Sequence, residues 1–540
     1  MQNLRRRYLP RSIALCAAWS LGACVGDVDE SDEEIQEPSV SALRWSQGPD
    51  QESIDRGRDI WFERTFGGEQ FFAWLATQAP PDRRVEVGFE AVINTPRSER
   101  FDTWGVINDP DCTADPAGGP DLCTDPNATG IVGIRKSQPA GPQGPTLYGI
   151  SCASCHAGID PVHPPADPSE PSWDNIHATI GNMYLKTGRI FSVNLDPMDP
   201  RRPMFEAWPD GTVDTTLLFS DGIMNPGAIT AIWEQDDRPT FHVHYSVDGG
   251  VTTIAGDKLR SGQGGEDDIG GDIAALRVYS NIGACFAGCV APALAIGGEV
   301  DIPTCEAACE ASGEWPTAQD REDLTAFLAS FEAPQYPGHP KKLLAYVVGA
   351  FSFKKNCSHC HDNDSSWDAR EVLSDDEITL FFNDPNVTNT CRARTSNWEE
   401  DEIWGQFSSD EYRARAALGD KGYRTMPLAG IWSTSPFTHS NTIGEVAAAT
   451  ATPAERSVAF RNSMHELMSY RDLYMNVLED PLYTVDEDGN PVLLAPAGTP
   501  HHYVYSAGKC IDLYENRGHY FGAELPNWQK NALIYYLRYQ

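Results

Sequence analysis

The stretch Gly349-Ala-Phe-Ser-Phe-Lys-Lys-Asn-Cys-Ser-His-Cys-His361 ends in Cys357-Ser358-His359-Cys360-His361, the C-x-x-C-H spacing of covalent haem attachment. Two thiols three positions apart can each form a thioether to one vinyl group of the same haem. The histidine that follows is then held beneath the iron as its axial ligand. A second copy lies upstream, Cys152-Ala153-Ser154-Cys155-His156. A single match could equally be a C-x-x-C redox pair, or half of a zinc site that happens to precede a histidine. Two matches in one chain point instead to two covalently attached haem c groups.

Outward from the second motif, Gly349 and Phe353 lie four apart, and Phe353 lies four before Cys357. The wording G-x3-F-x3-C-x-x-C-H is typical of the opening helix of cytochrome c. At the chain's end Leu533, Tyr536, Leu537 and Gln540 fall on one helical face and supply a closing helix. In the first half Gly57 and Trp61 in RGRDIWF suit the opener, and Leu324, Phe327, Leu328 and Phe331 in REDLTAFLASF suit the closer. The two closers look like duplicated elements. The expected fold is therefore mainly α, with two cytochrome c-like modules at 48–335 and 336–540 joined near Pro334, Pro337, Gly338 and Pro340. The first is much the longer. Its excess, residues 62–150 and 200–310, is rich in Gly, Pro and Asp and predicts loops and short strands that cover the haem.

The N-terminus reads as an export signal. Arg5, Arg6 and Arg7 form a basic region, Ile13 to Leu21 is a short apolar run, and Leu21-Gly22-Ala23-Cys24 has the shape of a lipoprotein cleavage box. Residues 1–23 would be removed, Cys24 would carry lipid, and the acidic stretch 24–47 would be a flexible spacer. The expected location is the periplasm or outer membrane of a Gram-negative-type cell. An ordinary signal peptide with an incidental cysteine is the alternative. Arg5 to Leu9 also has a twin-arginine look, but haem attachment to an unfolded exported chain argues for the general secretion route.

The chain has 540 residues and a formal net charge of −37, from 41 basic and 78 acidic residues. Such a charge repels phosphate and excludes nucleic acid as a partner. A basic electron-donor protein suits it, as does the plainer reading that acidity keeps an exported protein soluble. Of the 14 cysteines, Cys16, Cys24 and the four haem thiols leave Cys112, Cys123, Cys285, Cys289, Cys305, Cys309, Cys391 and Cys510, an even set suited to disulfides. Cys112 and Cys123 would close the loop between them. The two C-x3-C pairs suit either a disulfide-stapled helical hairpin or a zinc site of four thiolates. Elimination leaves Cys391 for Cys510.

The segment YRTMPLAGIWSTSPFTHSNTIGEV at 423–446, together with two such modules in one exported chain, resembles the bacterial di-haem cytochrome c peroxidase and MauG superfamily. The residues that carry it are Pro427, Leu428, Trp432, Pro436, Phe437 and His439. Within that superfamily, the large first module, the Leu-Ala-Gly-Ile-Trp wording and Asn516-Arg517-Gly518-His519-Tyr520-Phe521 look most like the rubber-oxygenase (RoxA-like) branch. Ser440-Asn441 departs from the usual Asn-Gly after the histidine, although Asn tolerates a left-handed turn. No likeness extends over 62–150.

The resemblance implies a division of labour. The haem held by Cys152, Cys155 and His156 would keep an open face for peroxide or dioxygen, and that held by Cys357, Cys360 and His361 would store an electron. His519 would be the sixth ligand of the second iron, with His439, Met464 and Met468 as competitors. The superfamily also often has a calcium ion between its haems, and Asp362-x-Asp364-x-Ser366 and Asp486-Glu487-Asp488-Gly489 only partly match calcium loops. Over an open haem, peroxidase chemistry needs a proton-transfer group and oxygenase chemistry an apolar lid. Trp233, Phe241, His242 and His244 offer both, and the alternation of 241–244 puts the two histidines on one strand face. His163, His177, His339, His501 and His502 read as surface or structural, and Trp104, Trp173 and Trp398 as candidate electron relays. Two function classes follow, a haem peroxidase or dioxygenase, and a non-catalytic electron carrier with both irons six-coordinate.

Overall fold

The computed structural model describes residues 50–79, 84–138, 141–213, 226–229, 231–233, 251–253, 317–358, 361, 372–374, 420–424, 428–438, 441–469, 481–485, 490–498, 505–506, 509–510 and 521–540. Two close helix pairs organise it.

The first pair is α1 (Gln51–Glu63) against α8 (Ala318–Ala329). Asp50 caps α1 by accepting from the Ser53 N–H, and Thr317 and Asp320 form a reciprocal capping box on α8. The buried stripe of α1 is Gly57, Ile60, Trp61 and Phe62. Gly57 faces the partner helix so closely that a Cβ there would stand 2.0 Å from the Asp323 carbonyl oxygen and 2.6 Å from the Phe327 Cβ. Only a residue without a side chain permits that approach.

The second pair is α9 (Leu343–Asn356) against α11 (Asn527–Leu537). Here Gly349 would meet the Ala532 carbonyl oxygen at 2.1 Å and the Tyr536 Cβ at 2.6 Å. In both pairs the glycine opposes two residues four apart on its partner, and an aromatic residue, Trp61 or Phe353, follows it by one turn.

Each pair carries its own apolar core. Trp61, Phe62, Phe66, Leu324, Phe327 and Leu328 pack in the first, and Phe353, Trp432, Phe460, Met464, Met468, Leu533 and Leu537 in the second. The first pair is also tied by a polar contact. Asp323, with a side chain only 3 % exposed, accepts from Ser53 Oγ at 2.6 Å, Arg56 Nε at 2.7 Å and Gln319 Nε2 at 2.9 Å.

Residues 62–150 contain more helix than their composition suggests, namely α2 (Gly68–Thr77), α3 (Phe89–Asn94) and α4 (Arg97–Trp104). The two-residue strands β1 (Cys112–Thr113) and β2 (Leu122–Cys123) pair antiparallel, and a disulfide joins Cys112 to Cys123. Buried charge accompanies the apolar side chains here. Asp121 accepts from buried Arg97 at 2.7 Å and buried Arg100 at 2.8 Å, while Asn108 Nδ2 donates to the Arg97 and Ser169 carbonyls, both at 2.8 Å. Each charge is paired, as burial requires.

The chain then forms β3 (Ile134–Ser137) against β4 (Leu147–Ile150), the short turn α5 (Ala153–His156), and β5 (Gly158–Ile159) against β6 (Ile176–His177). Further helices are α6 (Thr187–Ser192), α7 (Arg202–Glu206) and α10 (Pro453–Leu467).

Residues 428–438 and 441–456 contact both halves. The Trp432 indole donates to the Pro334 carbonyl, Trp233 donates to Ala429 O at 3.2 Å, Tyr184 donates to Ala447 O at 2.7 Å, and Ala449 packs in the first core. The backbone also joins the halves where 251–253 and 372–374 flank 420–424 in an antiparallel sheet.

Two outcomes follow. Gly57→Val and Gly349→Val should each lower stability by about 1–3 kcal/mol, because overpacking must push the paired helices apart; thermal melting reads this, and an unchanged midpoint would refute the close crossing. Burial alone would raise the Asp323 pKa, but the hydrogen bonds from Arg56, Ser53 and Gln319 outweigh it and hold the carboxyl below its ordinary range. Its contribution is therefore present above the unfolded value near pH 4 and lost as pH falls through the folded value. Asp323→Asn should cost about 1–2 kcal/mol at neutral pH, and acid titration of the variant should show a smaller loss between about pH 4 and 2 than the parent.

Candidate haem-attachment sites

The first motif is held from several sides. Ser151, just before it, donates its N–H to Gly133 O at 2.8 Å and its hydroxyl to Phe62 O at 2.9 Å, which fixes the entry to the turn against α1 and β3. The turn itself is closed by the His156 N–H donating to Cys152 O at 3.1 Å. Residues at i, i+3 and i+4 share a helix face, so Cys152, Cys155 and His156 are presented together. Beyond the turn, Asn182 N donates to Cys155 O at 2.8 Å and Gly181 N to His156 O at 2.9 Å. The Asn182 side chain, 1 % exposed, donates in turn to Gly105 O at 2.8 Å and accepts from Tyr184 N at 3.1 Å.

Two glycines make room. Gly133 has φ +76°, and a Cβ there would sit 2.2 Å from Ser154 N, while at Gly158 a Cβ would meet Ile180 Cγ2 at 2.5 Å. The His156 ring lies 5.8 Å from the Trp61 indole at 45°. Trp61 is anchored by its Nε1–H to Ala178 O at 3.0 Å and touches Phe327 at 6.3 Å. One aromatic side chain thereby connects the first helix crossing to the motif histidine. Burial pushes the Cys155 thiol pKa up.

The second motif repeats the local geometry. Cys357 N donates to Phe353 O at 2.8 Å, and His361 N donates to Cys357 O at 2.9 Å, the same contact as in the first copy. Cys357 packs against the second core beside Phe353, Met464 and Met468. Cys360 lies outside the described residues.

Both turns fit a covalently bound haem. The first presents two thiols and an imidazole on one turn beside an apolar core, and the second places Cys357 against an apolar core with the His361 N–H bonded to its carbonyl. Among the described residues, no cluster of three or more His, Cys, Asp or Glu side chains is arranged to hold a separate metal ion.

Of the other candidates, Trp233 is described and is 2 % exposed. Its indole meets His177 edge-on at 5.7 Å and packs with Ile180 and Ala333, and a Cβ on Gly430 would stand 2.7 Å from it. His242, His244, His439 and His519 lie outside the described residues, as do His501, His502, Trp398 and both calcium-like loops. Met464 and Met468 are buried in the second core, with Met468 Sδ 3.2 Å from where a Gly522 Cβ would be. His163 is exposed. Trp104 is buried beneath the Arg189 guanidinium, and Trp173 stacks under Arg58 and meets Phe62 edge-on.

His177 is the residue that sequence reading leaves undistinguished. It pairs with Gly158, two positions past His156, and its ring lies between Trp233 and Phe331. Its Nδ1 accepts from Thr179 N at 3.3 Å. Burial lowers its pKa and favours the neutral imidazole. A polar residue on a two-residue strand carries no periodic signal of burial.

No family model matches the chain, and a search of characterised proteins finds no relative. The spacing of Gly133 makes a local prediction. Gly133→Val must displace Ser154, so the haem expected on the Cys152–His156 peptide should be missing while that expected on the Cys357–His361 peptide is kept. Peptide mass mapping of the purified variant reads both, and equal loading of the two peptides would contradict the packing described.

Proposed function

We propose that the chain is an exported di-haem c-type cytochrome acting as an oxidoreductase. In this reading peroxide or dioxygen reacts at the haem held by Cys152, Cys155 and His156, and electrons pass through the haem held by Cys357, Cys360 and His361. The observation that carries it is the repetition. In both C-x-x-C-H segments the histidine N–H donates to the carbonyl of the first cysteine, and each segment lies one helix turn or one aromatic contact from a glycine-mediated helix crossing.

When bound, an iron with one protein ligand supplies a face open to an oxidant, whereas an iron with two supplies one-electron storage. The chain's own groups have separable tasks. Trp61 restricts the His156 ring by packing beside it, and Gly181 and Asn182 fix the carbonyls of its turn. The apolar wall of Ile107, Ile159, Ile232 and Phe327 keeps water from the surrounding core. Trp233, His242 and His244 are the candidates for contact with oxidant or substrate, with His439 beside them in the resemblance. Around the second motif, buried Phe353, Met464 and Met468 favour a low-dielectric setting suited to electron transfer, and His519, or one of the methionines in its place, would hold the haem together with His361. An electron-donor protein would complete the cycle, and lipid on Cys24 would hold the protein at a membrane.

The test is an EPR and absorption spectrum of the oxidised protein. A high-spin ferric signal that disappears in His156→Ala, while a low-spin signal persists, is expected. Purely low-spin signals would favour an electron carrier with both irons closed and overturn the catalytic reading. Peroxide and polyisoprene turnover measured side by side then separate peroxidase from dioxygenase action.

A further inference from the structure

Large exposed apolar side chains are not scattered evenly. Of the eleven among the described residues, Leu343, Leu344, Val347, Phe351 and Trp528 lie on the α9–α11 pair, at 70 %, 79 %, 55 %, 70 % and 62 % exposure. On α9 they follow the spacing of one helix face, with Leu344, Val347 and Phe351 at i, i+3 and i+7. The other face of the same helix is spent on the crossing with α11, where Gly349, Ser352 and Phe353 are buried. Exposure of several neighbouring large apolar groups marks a contact surface rather than ordinary surface composition.

Charge around this face is opposite to the rest of the molecule. The chain has 78 acidic residues, yet none falls within 333–361 or within 526–540. Lys341 and Lys342 are exposed at one end of α9, and Lys354 and Lys355 at the other. The apolar row between them is about 11 Å long at the α-helical rise.

We propose that this face rests on an anionic lipid surface. Leucine, valine and phenylalanine would enter the boundary between headgroups and acyl chains, and the lysine stems would lie along it with their ammonium groups at the phosphates. The contacting element is a convex helix whose apolar side chains protrude, a shape that a fluid interface accommodates without a complementary groove. A second copy of the chain would bring four lysines against four lysines. The acidic remainder of the protein is repelled by anionic headgroups, so the attraction is confined to this side and orients the molecule. Cys24 precedes this helix pair by about 300 residues of sequence, and the contact proposed here is separate from any lipid carried there. It is also independent of the chemistry assigned to the two motifs.

The experiment is cosedimentation of the haem-loaded chain, carrying Cys24→Ser so that no acyl group contributes, with phosphatidylcholine vesicles containing either no anionic lipid or about 30 % phosphatidylglycerol. At least about tenfold more protein should bind the anionic vesicles at low salt, and the excess should fall as salt screens the lysines. Leu344→Glu with Phe351→Glu should abolish binding, and Lys354→Gln with Lys355→Gln should reduce it several-fold, in variants whose thermal midpoint and haem absorbance match the parent. Equal binding to both vesicles, or none, overturns the proposal. So does a dimer that the glutamate variant dissociates, or a carbodiimide cross-link between Lys354 or Lys355 and an acidic residue of the same chain, because either gives the face another occupant.

Discussion

The constraint on which the described structure depends is the approach of two helices to backbone contact, made once at Gly57 and once at Gly349. Each leaves about 2 Å between a notional Cβ and a carbonyl oxygen across the crossing, 2.0 Å at Asp323 and 2.1 Å at Ala532. Dispersion falls steeply with separation, so near-contact between backbones lets the flanking side chains interlock fully. Trp61 and Phe353, one turn on, then sit at fixed heights above the crossing and face the segments that contain the cysteine motifs. A lattice of small strands and turns hangs on those two fixed points.

The two halves solve the remaining packing problem differently. Around the second crossing the core is apolar, with phenylalanine, methionine and leucine supplying the volume. Around the first, an apolar core that includes Trp61, Phe62, Leu324 and Phe327 is joined by buried polar groups. Asp323 ties α8 to α1, the Arg97–Asp121–Arg100 cluster fills the space behind the Cys112–Cys123 disulfide, and Arg456 reaches from α10 to the Tyr184 hydroxyl at 3.3 Å and the Ala449 carbonyl at 3.1 Å. Buried ion pairs of this kind add little net stability over apolar packing. They do fix one arrangement, since every misplacement strands a charge.

Much of this could be read in advance only where the chain obeys a period or a rigid spacing. Gly57 with Trp61, Gly349 with Phe353, and the i, i+3, i+4 rows of 324–328 and 533–537 mark helices whose apolar faces must find partners. Cys112 and Cys123 bracket a turn-rich stretch short enough to be stapled. The helices at 68–77, 89–94 and 97–104 were hidden because glycine, proline and aspartate dominate the segment between and beyond them, and because Arg97 and Arg100 are buried charges on a helix that periodicity treats as exposed. His177 and Asn182 were hidden for a related reason. Their burial comes from long-range pairing with Gly158 and with the carbonyls of Cys155 and Gly105, and nothing in the neighbouring residues encodes those partners. Of the site residues, the first motif turn, Cys357, His361 and Trp233 are placed by the fold, while Cys360, His242, His244, His439 and His519 rest on the sequence.

The central claim is that both cysteine–histidine turns are anchors for a covalent haem. The most direct measurement is the intact mass of the mature protein, followed by peptide mapping of the attached groups. The account predicts two haems per chain, one on a peptide containing Cys152 and Cys155 and one on a peptide containing Cys357 and Cys360. A mass corresponding to one haem or none, with either cysteine pair recovered as unmodified thiols or as a disulfide, would contradict it.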